Sequence, residues 1–175
     1  MMAKQTDRST WAEKVWAGEL DTSETRIDDN LKLVRRIFDE VWNIGNVSLI
    51  DELLAPSYVD HNPSPGAPPD RQGYQVMVNQ FRSAFPDINF TFDQVLTEGD
   101  RVAIRLTGRG SHQGVFMGIA PTGKQVSFGG MTFLHMQDGK VTESWGISDI
   151  PGLMGQLGAV PGQSQPAASH PRTSG

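Results

Sequence analysis

The sequence predicts an α+β fold: helices packed on the concave face of a strongly bent, mostly antiparallel sheet. Three observations carry that reading. The helical periodicities come early and the strand periodicities late, which segregates the two classes. In the stretch from Gly99 to Asp149, Val102, Ile104 and Leu106 alternate with Ala103, Arg105 and Thr107, the period of a half-buried strand. Asp138 and Gly139 form a favoured tight-turn pair that folds Lys140–Ile150 back beside Gln125–Met136. A bent sheet with one apolar face needs a roof, and only the upstream helices can supply it. Such a shell is a cone with a cavity inside.

The elements follow in order. Thr10, Trp11, Ala12 and Glu13 fit a capping box, and a short helix is expected to run to Glu19. It reads as an appendage on the body or on a partner subunit, with a lid over a pocket as the alternative. A second helix is expected to start near Ile27 and stop before Gly45, because Ile27, Leu31, Val34, Phe38, Val41 and Trp42 recur at helical spacing and Gly45 suits a left-handed end. Asn46 is expected to cap a third helix over Val47–Ala55, which Pro56 ends. A short strand, Ser57–His61, then leads into a proline-rich loop, Asn62–Pro69. Asp70 caps a fourth helix with Tyr74, Met77, Val78, Phe81 and Phe85 as its inner stripe, closed by Pro86. Asn89–Glu98 reads as a strand. Gln125–Met136 carries Val, Phe and Met on both alternating faces, so both sides of that strand are expected to be covered. The organisation is thus an N-terminal extension over 1–26, one domain over 27–158, and a Pro-, Ser- and Gln-rich tail over 159–175 that reads as disordered.

Composition excludes several function classes. The 175 residues suffice for one domain with a core, and a net charge of −5 with no basic stripe argues against nucleic acid. There is no cysteine, so thiol and disulfide chemistry are out. No apolar run is long enough to span a bilayer and no signal-peptide core opens the chain, so a cytoplasmic protein is expected. Gly118–Lys124 has phosphate-loop spacing, but Gln125 replaces the Ser/Thr and a strand follows where a helix is required. No close His or carboxylate spacing suggests a metal, and no GxSxG elbow is present.

Five pieces together resemble a known family: YVDHNP (Tyr58–Pro63), FPDINF (Phe85–Phe90), GSHQGVFMGIAPTGK (Gly110–Lys124), DGKVTESW (Asp138–Trp145) and QLG (Gln156–Gly158). They resemble the SnoaL-like polyketide cyclases, within the ketosteroid isomerase and nuclear-transport-factor-like superfamily. The resemblance spans about Ile27–Gly158. It implies a cone-shaped α+β barrel, a homodimer through the outer sheet face, a small-molecule substrate and no cofactor. It implies aldol ring closure, with epoxide opening and isomerisation among relatives, so the fold alone does not name the reaction. One departure stands out: the acidic general acid/base of the aldol cyclases matches Gly146, and two polar pocket residues match Gly130 and Thr132.

With glycine at 146, another group must move protons. His61 is the first candidate, since it ends the short strand where the isomerase relatives place their catalytic aspartate, and imidazole titrates near neutrality. Its competing role is a strand cap. Asp60 would then alternate outward or cap the loop. Asp149 is second, with an N-cap role for the turn at Ile150–Leu153 as its rival, and His112 third, with a loop-holding role as its rival. Candidate substrate-binding residues are Trp42, Tyr58, Tyr74, Met77, Phe81, Phe116, Met117, Thr132 and Ser144, an aromatic and Met-rich set suited to a flat or apolar ligand. The expected function is a cofactor-independent cyclase or isomerase of a small apolar oxygenated metabolite. The alternative is a non-catalytic binding or dimerisation module.

Overall fold

The computed structural model describes residues 24–159. The expected helix at Thr10–Glu19 and the tail beyond residue 159 lie outside them.

Helix α1 (Glu24–Arg36) continues without a break into a π-helical segment, Ile37–Ile44, that buries Ile37, Phe38, Val41 and Trp42. The wider turn was not readable from apolar spacing, because it brings out the same residues that an α-helix would. Gly45 closes the segment at φ 91°, and a side chain there would also strike Arg82, 2.4 Å from a built Cβ. Arg82 donates to the Trp42 and Asn43 carbonyls at 2.9 and 2.8 Å, satisfying acceptors that a helix end leaves open.

The expected helix over Val47–Ala55 is shorter. A 3₁₀ turn (Val47–Leu49) passes into one turn of helix α2 (Ile50–Leu53), and Leu54 is already extended. Strand β1 (Leu54–Asp60) therefore starts three residues earlier than the sequence suggests. Leu54 and Ala55 are buried in the sheet, and the residue before Pro56 avoids helical backbone on steric grounds. Asn46 makes no side-chain cap, its Oδ1 accepting instead from Ser48. Helix α3 (Arg71–Ala84) is capped by Asp70, which accepts from the Gly73 amide at 3.0 Å.

Strands β2 (Asn89–Glu98), β3 (Arg101–Ser111), β4 (Gln125–Gln137) and β5 (Lys140–Ser148) form antiparallel neighbours, and β1 joins the far edge parallel to β5. The sheet order is β1-β5-β4-β3-β2. Asp138 and Gly139 make the expected turn, both at positive φ (52° and 72°). Register breaks in β2, β1 and the β4–β5 ladder bend the sheet. Helix α4 (Ile150–Leu157) folds back on β4, where Gln156 exchanges hydrogen bonds with the Ser127 backbone at 3.0 and 2.9 Å.

The core lies between the helices and the concave face. Val34, Val41, Leu53, Val78, Phe85, Ile104 and Leu153 are at most 1% exposed. The opposite face of the sheet is open in the single chain. Met131 and Ile147 are 62% and 73% exposed. The expectation that β4 is covered on both sides does not hold within one chain, since all the described helices pack on the concave side.

Backbone packing makes a direct prediction. A Cβ on Gly114 would sit 2.0 Å from the Ser83 carbonyl oxygen, whereas one on Gly129 meets nothing within 4 Å. Gly114→Ala should lower stability by about 1–3 kcal/mol, while Gly129→Ala should not. Thermal unfolding of the two variants checks this.

Candidate active site

Alternation along β1 decides which chemistry faces inward. Tyr58 and Asp60 are 3% and 7% exposed on the concave side, while Val59 faces out. Asp60 pairs with Ser144 of β5 in parallel register. Both residues, with Tyr58, line a cavity of about 280 Å³ between α3, the π-helical segment and the sheet. This is near the small end of ligand-sized pockets. The loop residues Asn62, Pro63, Ser64 and Pro65 line it too. Among the described lining residues, Asp60 alone carries a charge.

Asp60 is held from two sides. Its Oδ1 accepts from the Asn62 amide at 2.9 Å, and its own amide donates to Pro69 O at 3.1 Å. Two phenols share the cavity with it. Tyr58 and Ser144 join hydroxyls in a short hydrogen bond. Trp42 Nε1 donates to Tyr74 Oη at 2.7 Å, which leaves the Tyr74 proton free to point elsewhere. The two phenol rings meet edge to face, with centroids 5.8 Å apart. Burial raises both phenol pKa values well above the usual range, and the nearby Asp60 charge pushes them the same way. Both are therefore neutral hydrogen-bond donors at any working pH. Around these polar groups stand Phe38, Trp42, Met77, Phe81, Phe90 and Phe128. The interior is neither collapsed nor wholly apolar.

The sequence candidates divide. Trp42, Tyr58, Tyr74, Met77, Phe81, Thr132 and Ser144 line the cavity. Phe116 does not: it is buried behind the wall, its ring centroid 5.2 Å from those of both Phe81 and Phe85. Met117 is 62% exposed on a turn at φ 47°. Asp149 is exposed and caps α4, accepting from the Gly152 amide at 2.9 Å. His112 is fully buried away from the cavity, against Phe85. Its Nδ1 accepts from the Thr122 amide at 3.2 Å and its backbone bonds Lys124 and Gly123, so it holds the 112–124 loop closed. Nε2 meets no partner at hydrogen-bond geometry; burial lowers the His112 pKa, the Gly114 backbone opposing.

His61 is the principal correction. It lies on the outer face, its side chain 35% exposed, stacked on Trp145 with centroids 4.2 Å apart. Its Nε2 bonds Glu143 Oε2 at 2.8 Å, and Glu143 Oε1 bonds His135 Nδ1 at 3.1 Å. His135 Nε2 reaches Asp100 at 2.8 Å. The reason is parity: extended backbone cannot turn Tyr58 and His61 to the same side, because they stand an odd number of positions apart, with Val59 and Asp60 between them. Asp60, expected to face outward or to cap the loop, is the inward acid, and it also caps the loop through the Asn62 amide. The clash between the Tyr58 and His61 assignments was the signal that could have found it.

Among the described residues, no group of His, Asp or Glu is placed to hold a metal ion, and no helix is long and apolar enough to cross a membrane. The phosphate-loop-like lysine, Lys124, donates to Gln156 O at 3.0 Å and ties the loop to α4.

Comparisons with known proteins fit this geometry. The profile of the SnoaL-like polyketide cyclases matches residues 32–157. Among solved structures, AclR of Streptomyces galilaeus, provisionally named a hydroxylase, is 29% identical with a TM-score of 0.68, over 79% of this chain and 86% of its own. A protein of Bacillus cereus provisionally named a polyketide cyclase is 28% identical with a TM-score of 0.69, over 78% and 85%. IdmH of Streptomyces antibioticus, provisionally named likewise, is 30% identical with a TM-score of 0.66, over 74% and 99%. No curated protein matches the chain.

The outer cluster yields a pH prediction. Burial pushes the Glu143 carboxyl up, but hydrogen bonds and charge from His135 and His61 outweigh it and hold it below its ordinary value of 4.5. A depressed carboxylate adds stability above its unfolded pKa and loses it as pH falls through the folded value. Glu143→Gln should therefore flatten the fall in Tm between about pH 5 and pH 3. An unchanged Tm-against-pH slope would contradict the assignment.

Proposed function

This chain belongs to the SnoaL-like polyketide cyclase family, and from that premise we propose a cofactor-independent cyclase or isomerase in which Asp60 moves the proton. Its substrate is a small, largely apolar metabolite with a carbonyl oxygen. One observation carries the reading: a single buried carboxylate faces an aromatic cavity beside two phenol hydroxyls.

The chemistry follows from the positions. Asp60 takes a proton from carbon next to the carbonyl, and the C–H electron pair becomes an enolate. The Tyr74 hydroxyl, whose oxygen is occupied by Trp42, donates to the developing oxyanion. The Tyr58–Ser144 pair supplies a second hydroxyl on the β1–β5 side. The enolate carbon then attacks an electrophilic carbonyl within the same molecule, and protonated Asp60 returns its proton to the resulting alkoxide. Where the substrate instead carries a C=C bond β,γ to the carbonyl, proton removal gives a dienolate, and return of the proton to its γ carbon is an isomerisation. Neutral donors in a water-poor cavity stabilise such a charge better than water does, a donor contributing roughly 10²–10³ in kcat. Gly146 lacks any group for this work, which leaves the carboxylate on β1 to do it.

Support for a second copy comes from the open sheet face. Met131, Trp145 and Ile147 are exposed there together, and a homodimer across that face would cover them.

The test is solvent-deuterium exchange into 2-tetralone, a flat bicyclic ketone, followed by mass spectrometry. The wild-type protein should accelerate exchange over buffer. Asp60→Asn should reduce that acceleration by about 10²–10⁴, the range of general acid–base catalysis, while His61→Ala should leave it within a few-fold. Retention of full exchange by Asp60→Asn would remove Asp60 from the mechanism. Tyr74→Phe should lose about 10²–10³.

A further inference from the structure

Glycine within a strand is a cost in backbone entropy and packing, and it survives where something must come close. In this sheet that something is usually visible. A Cβ on Gly108 would strike the Phe90 and Phe128 rings at 2.7 and 2.8 Å, and one on Gly130 would meet Leu106 and the Ile147 carbonyl at 3.1 and 3.2 Å. Gly129 and Gly146 are different, and of the two only Gly146 lines the cavity. Gly146 has no positive φ to require glycine, and a Cβ built there meets nothing within 4 Å. No protein group explains its missing side chain.

Its neighbours on the cavity wall are polar. Thr132 stands opposite on β4, and Ser148 follows two residues on along β5. Neither hydroxyl bonds another described residue. Asp60 enters the same wall from β1, paired with Ser144 two residues before Gly146. The gap is therefore bare backbone flanked by two available hydroxyls and close to the carboxylate.

We propose that Gly146 is a specificity-determining residue: the gap above it admits the outer ring or substituent of the substrate, whose oxygens meet Thr132 and Ser148. This rests on the reading of the cavity as the active site. The ligand lies against the Gly146 backbone by one carbon's depth more than any other residue would permit. Substrates long enough to need that depth are accepted, and shorter ones occupy the Tyr58–Tyr74 end without it. A side chain at 146 shortens the cavity while leaving the fold intact, because there is room for it.

The experiment compares wild type, Gly146→Ala and Gly146→Val by calorimetric titration with two probes, 2-naphthol and the longer 1-hydroxyanthraquinone. Gly146→Val should weaken the three-ring probe at least tenfold and the two-ring probe threefold or less, with Gly146→Ala between. Tm should be unchanged or higher in both variants. Equal losses for the two probes, no loss for either, a wild type that binds neither, or a fall in Tm would each overturn the inference. The readout is binding, whereas the Asp60 reading is tested by exchange. Loss of exchange in Asp60→Asn with unaltered binding in Gly146→Val would sink this inference alone. The converse result would sink the Asp60 reading alone.

Discussion

The parallel pairing of β1 with β5 is the constraint on which the site depends. Asp60 opposite Ser144 sets the parity of both strands. Tyr58, Asp60, Ser144 and Gly146 then face the cavity, and His61, Glu143 and Trp145 face away from it. A shift of one residue would exchange the two sets, because side chains alternate with a period of two. The inner set would then hold an imidazole and a glutamate, and the outer set the phenol. Register is secured at both ends of the short strand. Leu54 and Tyr58 are buried on its inner side, and the His61 amide donates to the Ser144 carbonyl at 2.9 Å.

A carboxylate in such surroundings is a cost to the fold. Burying an ion away from water is unfavourable unless hydrogen bonds replace its hydration. Asp60 has one such bond from the Asn62 amide, and part of its remaining capacity faces the cavity. A structural acid would be expected to close every bond within the protein. In the proposed reading, the capacity turned to the hollow serves the ligand. The two phenols are set the same way, each with one hydrogen bond made inside the wall and capacity left over.

The outer face shows the opposite arrangement. Its titratable groups bond one another in a chain from His61 through Glu143 and His135 to Asp100. Those bonds occupy both carboxylate oxygens of Glu143 and both nitrogens of His135. The cluster stitches β1, β5, β4 and the β2–β3 turn together across the sheet. That is a structural use of imidazole, and it accounts for two of the four histidines in the sequence.

The sequence by itself determined the fold class, the order of elements and most of the cavity's apolar wall. Apolar period, cap residues such as Asp70 and the Asp138–Gly139 turn are local signals, and local physics reads them well. Seven of the nine proposed binding residues line the cavity because a helix stripe or strand face carries its members together. Phe116 and Met117 escaped because a loop has no period. Local signals did not settle which end of β1 faces inward, since the segment holds a Tyr, an Asp and a His and offers either parity. Nor did they show the π-helical turn, the early start of β1 or the empty space above Gly146. Those depend on what lies across the sheet, on Ser144 opposite Asp60 and on the open space around a Cβ built at Gly146, and only the folded chain brings such surroundings together.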